Sequence, residues 1–299
     1  MSDAAPWRER FAPAKVNLFL HVGPVSADGY HPVCSLMVFA DVGDVVRLRD
    51  APAMAFGLEG PFAAVLADDA DNLVIRARDR LVAGVARPPA PFELVLDKRL
   101  PIAAGLGGGS ADAAAALALI VARLASDPGQ GIDPGRVAEI ARGLGADVTA
   151  CLESRSVVGR GRGDDVSPAP PMPVLHAVLV NPLVPSPTGA VYRGFDALPP
   201  GPGADEPDLS RGFRSASEVV AWLETTRNDL EAPALTVQPQ IADVLAALRA
   251  APETLFARMS GSGATCFALA ADSAAAAALA ADLAASHPGW WVAACRFGA

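Results

Sequence analysis

The chain has little cysteine, and the little it has forms no pattern. Cys34, Cys151, Cys266 and Cys295 are scattered through 299 residues with no C-x-x-C pair and no zinc-ligand spacing. That excludes a disulfide scaffold and a zinc finger, and predicts reduced, buried thiols in a cytoplasmic protein. Positive charge is also short: 24 Lys and Arg against 33 Asp and Glu, a formal net charge of −9. Nucleic acid, which draws on basic surface, is therefore not an expected partner. Any phosphate site must be locally positive against that background. Residues 1–10 are charged and lack the apolar core of a signal peptide. No run is apolar enough to predict a membrane span. The longest uncharged segment, 166–192, carries seven prolines, and its longest proline-free run is the eight residues 174–181, which reads as a buried strand between turns.

What is present is a globular composition, 52% hydrophobic and 19% charged, in a chain long enough for one large domain or two of ordinary size. Its most informative stretch is Pro101-Ile-Ala-Ala-Gly-Leu-Gly-Gly-Gly-Ser110, with four glycines in the five positions 105–109. Glycine permits tight turning and leaves amide N–H groups uncovered. The run then enters an alanine- and leucine-rich segment, 111–120, that predicts a helix, with Ser110 as its expected N-cap. A helix start adds unpaired N–H groups and the positive end of a dipole, so the segment predicts a polyphosphate pocket. No lysine follows the glycines as a P-loop requires, and the acidic residue of a dinucleotide fingerprint is poorly served.

The first third reads mostly as strands: 14–22, 33–39 and 44–48, the last two separated by a turn at Val42-Gly-Asp44. A helix over 72–82, a strand over 92–96 and helices over 135–143 and from 146 follow. Segment 157–165 is glycine-rich and turning. The pattern changes near 160, the expected boundary between domains 1–160 and 161–299. Beyond it come strands at 175–180, 265–270 and 291–295, helices at 217–225, 239–250 and 273–285, and a polar loop at 198–211. Helices on a small antiparallel sheet fit an α+β sandwich.

Lys15 lies mid-strand, opposite the apolar face and two positions from Asn17; alone it reads as a solvent-facing lysine on an edge strand. Asp147, just after a helix break, reads alone as a cap. Ser260-Gly-Ser-Gly263 reads equally as a hairpin turn or as a close backbone approach to a ligand.

Together the segments say more. Ala12-Pro-Ala-Lys-Val-Asn-Leu18, the 105–110 loop with Leu144-Gly-Ala-Asp-Val148, and Ser260-Gly-Ser-Gly263 resemble, in order and separation, the three signatures of the superfamily of galactokinase, homoserine kinase, mevalonate kinase and phosphomevalonate kinase. Ala27-Asp-Gly-Tyr-His31, Asp71-Asn-Leu73, Asp97-Lys-Arg-Leu-Pro-Ile102 and Asn228-Asp-Leu-Glu231 extend the resemblance over nearly the whole chain. Ala-Lys-Val-Asn-Leu with Asp-Gly-Tyr-His points to the branch serving non-mevalonate isoprenoid precursor synthesis.

The resemblance implies an α+β, two-domain small-molecule kinase: an N-terminal ATP-binding domain of mixed α/β structure, a C-terminal ferredoxin-like sandwich that binds substrate, and an active site in the cleft between them. It implies ATP-dependent phosphorylation of the 2-hydroxyl of a cytidyl-diphosphate methylerythritol, with Mg²⁺ bridging the phosphates. Asp147 would accept the hydroxyl proton. Lys15 would either lower the hydroxyl's pKa or stabilise charge on the transferred phosphoryl. ATP would meet Asn72, Lys98, Pro101, Ile102, Ala103, Ala104, Gly105, Leu106, Gly107, Gly108, Gly109, Ser110 and Ala111. The substrate would meet Asn17, Thr188 and Gly263, with Tyr30 stacking on the cytosine and His31 hydrogen bonding to it. Ser110 is a candidate metal ligand; Asp112 is left open between such a role and facing solvent. The other readings are a sister kinase for homoserine or mevalonate, and a non-catalytic nucleotide sensor on the same fold.

Overall fold

The structure, a computed structural model, describes residues 5–66, 71–127 and 131–298; the first four residues of the charged N-terminal segment lie outside them. The chain forms two compact units, residues 1–14, 43–102 and 108–154 in the first and 15–42, 103–107 and 155–299 in the second. Two long strands, β1 (Arg8–Val22) and β2 (Val33–Asp50), contribute residues to both.

In the first unit the end of β2 pairs antiparallel with β4 (Phe92–Asp97), and β4 pairs parallel with β3 (Ala55–Glu59). Val46, Leu48, Leu94 and Leu96 alternate inward and are at most 1% exposed. A short helix, α1 (Ala63–Leu66), follows β3. The sheet is accompanied by α2 (Leu73–Ala83), α3 (Gly108–Leu124), α4 (Pro134–Leu144) and α5 (Ala146–Glu153). The alanines of α3 have a packing reason. The helix is buried on most of its circumference, against α2 and α5, and small side chains let the backbones come close. Its leucines supply apolar burial of about 1.5–3 kcal/mol each.

The second unit carries the hairpin β5 (Val157–Gly161)–β6 (Asp165–Pro168), with β5 antiparallel to the start of β2. Next come β7 (Leu175–Asn181), α6 (Thr188–Asp196), α7 (Ala216–Leu223), α8 (Glu231–Val237) and α9 (Gln240–Ala250). The chain ends with β8 (Thr254–Met259), β9 (Cys266–Ala270), α10 (Ser273–Ser286) and β10 (Trp291–Phe297). The strand order β10-β7-β9-β8 is antiparallel throughout. With α9 and α10 packed on it, this is the β-α-β-β-α-β ferredoxin-like sandwich. Val178, Val180, Val244, Leu248, Cys266 and Leu279 form part of its core.

Three local readings change. Residues 33–50 are one strand, not two around a turn. A Cβ on Gly43 would lie 2.2 Å from the Ala12 carbonyl oxygen, so this glycine marks a close approach of β1 rather than a reversal. Segment 157–165 is mostly the β5–β6 hairpin. Segment 166–192 holds β7, as expected, but also the start of α6, and no described helix is long and apolar enough to cross a membrane. All four cysteines are buried thiols outside any disulfide, and burial pushes the Cys34 thiol up to about 11.

Candidate active site

The glycine segment divides between the units: 103–107 belong to the second, and Gly108 opens α3 in the first. In the second unit three successive carbonyls of the segment are tied down. Ala104 O accepts from Thr265 N at 3.0 Å and Leu106 O from Lys15 N at 2.8 Å, while Gly105 O accepts from Ser260 Oγ at 2.9 Å. In a trans peptide the N–H points opposite to its carbonyl, so fixing the carbonyls inward turns the amides that follow them outward. Gly105 (φ +73°) and Gly107 (φ +59°) adopt the left-handed conformation this demands. A Cβ on Gly105 would meet the Ser260 carbonyl oxygen at 2.4 Å, and one on Gly107 would meet the Lys15 stem at 3.2 Å. Lys15 is 5% exposed, so its side chain is not the solvent-facing lysine that its strand position alone suggests.

Asn17 is oriented by a chain of donors. Ser35 Oγ donates to Phe19 O at 2.6 Å and so accepts from Asn17 Nδ2 at 2.7 Å. This assigns the amide and leaves Oδ1, buried with no protein partner, 3.3 Å from where a Cβ on Gly261 would sit. A buried acceptor without a donor is costly unless a ligand supplies one.

The Ser260–Gly263 turn joins β8 to β9, so it is a hairpin turn and an organiser at once. Ser260 Oγ accepts from Asn17 N at 3.1 Å while donating to Gly105 O. Asn228 Nδ2 donates to Met259 O and Gly261 O at 2.8 and 2.9 Å. Ser262 Oγ lies 2.9 Å from Thr188 Oγ1, the first residue of α6.

One helical turn beyond Thr188, α6 brings Tyr192 to 5.1 Å from the His31 ring, with Phe195 edge-on at 5.6 Å. His31 is engaged at both ring nitrogens, by Gly23 O at 2.9 Å and by Asp196 Oδ1 at 3.3 Å. A base hydrogen-bonded through this ring must therefore exchange with one of those partners. Tyr30 is half exposed, and Arg162 lies 4.0 Å over one face of its ring. Arg162 is held in turn by Asp28 at 2.6 Å.

In the first unit α3 begins at Gly108, not after Ser110; Ser110 lies half-buried inside the first turn, so it is not the N-cap. That turn holds two glycines and no acidic residue of its own. Beneath it sits a buried charge cluster. Lys98 Nζ donates to Asp44 Oδ2 at 2.5 Å and to Asp112 Oδ2 at 2.8 Å, and the three side chains are at most 3% exposed. Asp44 Oδ1 also accepts from Arg99 N and Leu100 N at 2.5 and 2.8 Å. Asp112 thus faces the interior rather than solvent. Burial lowers the Lys98 ammonium, but the two carboxylates outweigh it and raise the pKa above the ordinary lysine value. Burial raises the Asp112 carboxyl to about 8, against the pull of Lys98 and with the help of Asp44. Asn72 caps α2 by accepting from Val74 N at 2.9 Å. Asp147 stands in the first turn of α5, whose N-cap, Gly145, offers no side chain.

The GHMP kinases N terminal domain model matches residues 72–155, and the GHMP kinases C terminal model matches 214–289. The chain is 55% identical over 291 residues to 4-diphosphocytidyl-2-C-methyl-D-erythritol kinase of Caulobacter sp. (strain K31), covering 97% of this chain and 98% of that one. The chain belongs to this kinase family. A crystal structure of 4-(cytidine 5'-diphospho)-2C-methyl-D-erythritol kinase superposes with a TM-score of 0.76 at 31% identity, covering 98% of this chain and all of that one. Homoserine kinase from Cytophaga hutchinsonii shares the fold, with a TM-score of 0.67 at 21% identity and coverage of 96% and 94%.

Measured against family membership, Lys15, Asn17, Gly105, Leu106, Gly107, Thr188 and Gly263 gather around the Ser260–Gly263 turn in the second unit. Lys98 and Gly108 meet in the first, and Gly109 lies against Leu73, beside the Asn72 cap. Sequence reading missed Asp44, Tyr192 and Arg162 as parts of these assemblies; it quoted Ser260 and Ser262 within a signature without giving either a role, and left Asp112 open. The signal for α6 was there: Pro187 precedes a run in which Val191 and Phe195 recur at helical spacing.

Proposed function

We infer that the protein transfers the γ-phosphoryl of ATP to the 2-hydroxyl of 4-diphosphocytidyl-2-C-methyl-D-erythritol, a step of non-mevalonate isoprenoid precursor synthesis. The observation that carries this is full-length identity of 55% to a kinase of that name. The glycine geometry supports it. Fixed carbonyls at 104–106 turn the amides of 105–107 outward, where they can donate to phosphate.

In the reaction the 2-hydroxyl oxygen bonds to the γ-phosphorus, the bond from that phosphorus to the β–γ bridging oxygen breaks, and ADP leaves. Asp147 takes the hydroxyl proton, and Lys15 places positive charge beside the reacting oxygens. Asn17 Oδ1 accepts from a substrate donor, which satisfies its unpartnered oxygen. Tyr30 offers the ring face away from Arg162 to the cytosine.

Among the described residues no three His, Cys, Asp or Glu side chains cluster as a metal cage. A Mg²⁺ carried by ATP phosphates needs only one or two protein oxygens, and Ser110, in the first turn of α3, fits that limited role. When bound, the cation neutralises phosphate charge.

The test pairs turnover with binding. Asp147→Asn loses ADP release with the cytidyl substrate while its ATP affinity stays within about twofold of wild type. Retained turnover in the variant removes Asp147 from the proton-accepting role.

A further inference from the structure

Among the described residues, the polar loop 198–211 is the one long segment left without a task. It lies in the 197–215 connection between α6 and α7, which holds no helix or strand. Connections of that length without regular structure are uncommon in compact domains unless they serve a site. This one is pinned at several points. Arg160 of β5 grips Glu206 through Nε at 2.7 Å and Nη2 at 2.5 Å. Arg227 Nη2 donates to Asp205 Oδ1 at 2.5 Å and to Gly203 O at 2.6 Å. Trp222 Nε1 donates to Asp208 O at 3.0 Å.

The remaining pin is His21, a buried imidazole that the phosphoryl transfer does not use. Its Nδ1 lies 2.7 Å from Asp205 O, and its Nε2 accepts from Arg227 N at 3.3 Å. Both bonds are satisfied at once only by the neutral ring protonated on Nδ1. Burial favours that neutral form by lowering the ring's pKa.

Where the loop is pinned decides what it can do. Ala204 Cβ lies 3.5 Å from the position a Cβ on Gly23 would take. Gly23 O is the acceptor for His31 Nδ1, and Gly23 N donates to Pro32 O at 2.8 Å. On the other side Asp196, just before the loop, pairs with His31 Nε2. The loop therefore backs the Tyr30–His31 turn.

We propose that the 198–211 loop is a fixed strap that sets affinity for the nucleobase end of the substrate, with His21, Arg160 and Arg227 as its positioning residues. The strap rests on the reading that Tyr30 and His31 grip the cytosine. Its work is preorganisation: a turn held in its binding conformation loses less freedom when the base docks.

Asp205→Ala combined with Glu206→Ala removes two half-exposed carboxylates from the strap and leaves the phosphate loop untouched. With ATP and 4-diphosphocytidyl-2-C-methyl-D-erythritol, KM for the cytidyl substrate rises about fivefold or more, while kcat and KM for ATP stay within about twofold. Arg227→Lys falls between wild type and the double variant. An unchanged cytidyl KM overturns the strap, as does a parallel loss in kcat and both KM values with a lowered Tm, which marks a merely structural loop. Tyr30→Ala, run alongside, separates the two readings. If Tyr30→Ala raises the cytidyl KM and the double variant does not, the strap fails alone; if Tyr30→Ala has no effect, the cytosine reading fails whatever the strap does.

Discussion

A Cβ added to Gly108 would lie 2.9 Å from Lys98 Nζ, so the first residue of α3 rests directly on a buried ammonium. That ammonium cannot easily step aside, because Asp44 and Asp112 hold it at 2.5 and 2.8 Å. The glycine here serves close approach, not chain reversal.

Gly108→Ala is expected to lose about 1–3 kcal/mol of stability through overpacking against a pinned charge. Gly109→Ala meets only Leu73 at an ordinary 3.5 Å. It should stay within about 0.5 kcal/mol of wild type or gain slightly from helix propensity. Denaturant unfolding of the two variants checks this; equal losses would mean that Lys98 does not restrain the helix start.

Gly105→Ala faces backbone instead of a side chain, at 2.4 Å from Ser260 O and 2.9 Å from Gly263 O, with a φ of +73°. Neither neighbour can yield without moving the β8–β9 turn. The expected result is a loss of about 2 kcal/mol or more, together with a higher KM for ATP. A variant with wild-type Tm and KM contradicts the proposed packing of loop on turn.

Asp112 supplies a pH test. Burial raises its carboxyl from 3.8 to about 8, so the folded protein keeps a proton that the unfolded chain releases near pH 4. The stability tied to that proton is complete below the unfolded value and is lost as pH rises toward about 8. Asp112→Asn carries no such proton. Between about pH 5 and about pH 8, Tm of wild type should therefore fall relative to Asp112→Asn. A constant difference across that window would show Asp112 ionised throughout.

Much of this was legible in sequence where the pattern is local. The apolar run of β7, the alanine-rich runs of α3 and α10 and the helix expected over 72–82, observed as α2 with Asn72 as its cap, follow from neighbouring residues. The glycine signatures marked two places where backbone comes close, the 105–109 run and the Ser260–Gly263 turn, because glycine is the residue such geometry requires. What stayed hidden is what long-range contacts decide. Lys98 meets Asp44 across 54 positions and Asp28 meets Arg162 across 134, and no spacing rule connects them. Gly43 misled for the same reason: the backbone that explains it, Ala12 on β1, is distant in sequence. The proline-rich approach to α6 reads as turns and hid a nine-residue helix, although Val191 and Phe195 recur in it at helical spacing.

The most direct test of the central claim is ADP release in ATP and Mg²⁺ with three acceptors in parallel: 4-diphosphocytidyl-2-C-methyl-D-erythritol, homoserine and mevalonate. The account predicts turnover with the cytidyl substrate alone. Turnover with homoserine or mevalonate instead, or none with any acceptor from folded protein that binds ATP, would contradict it.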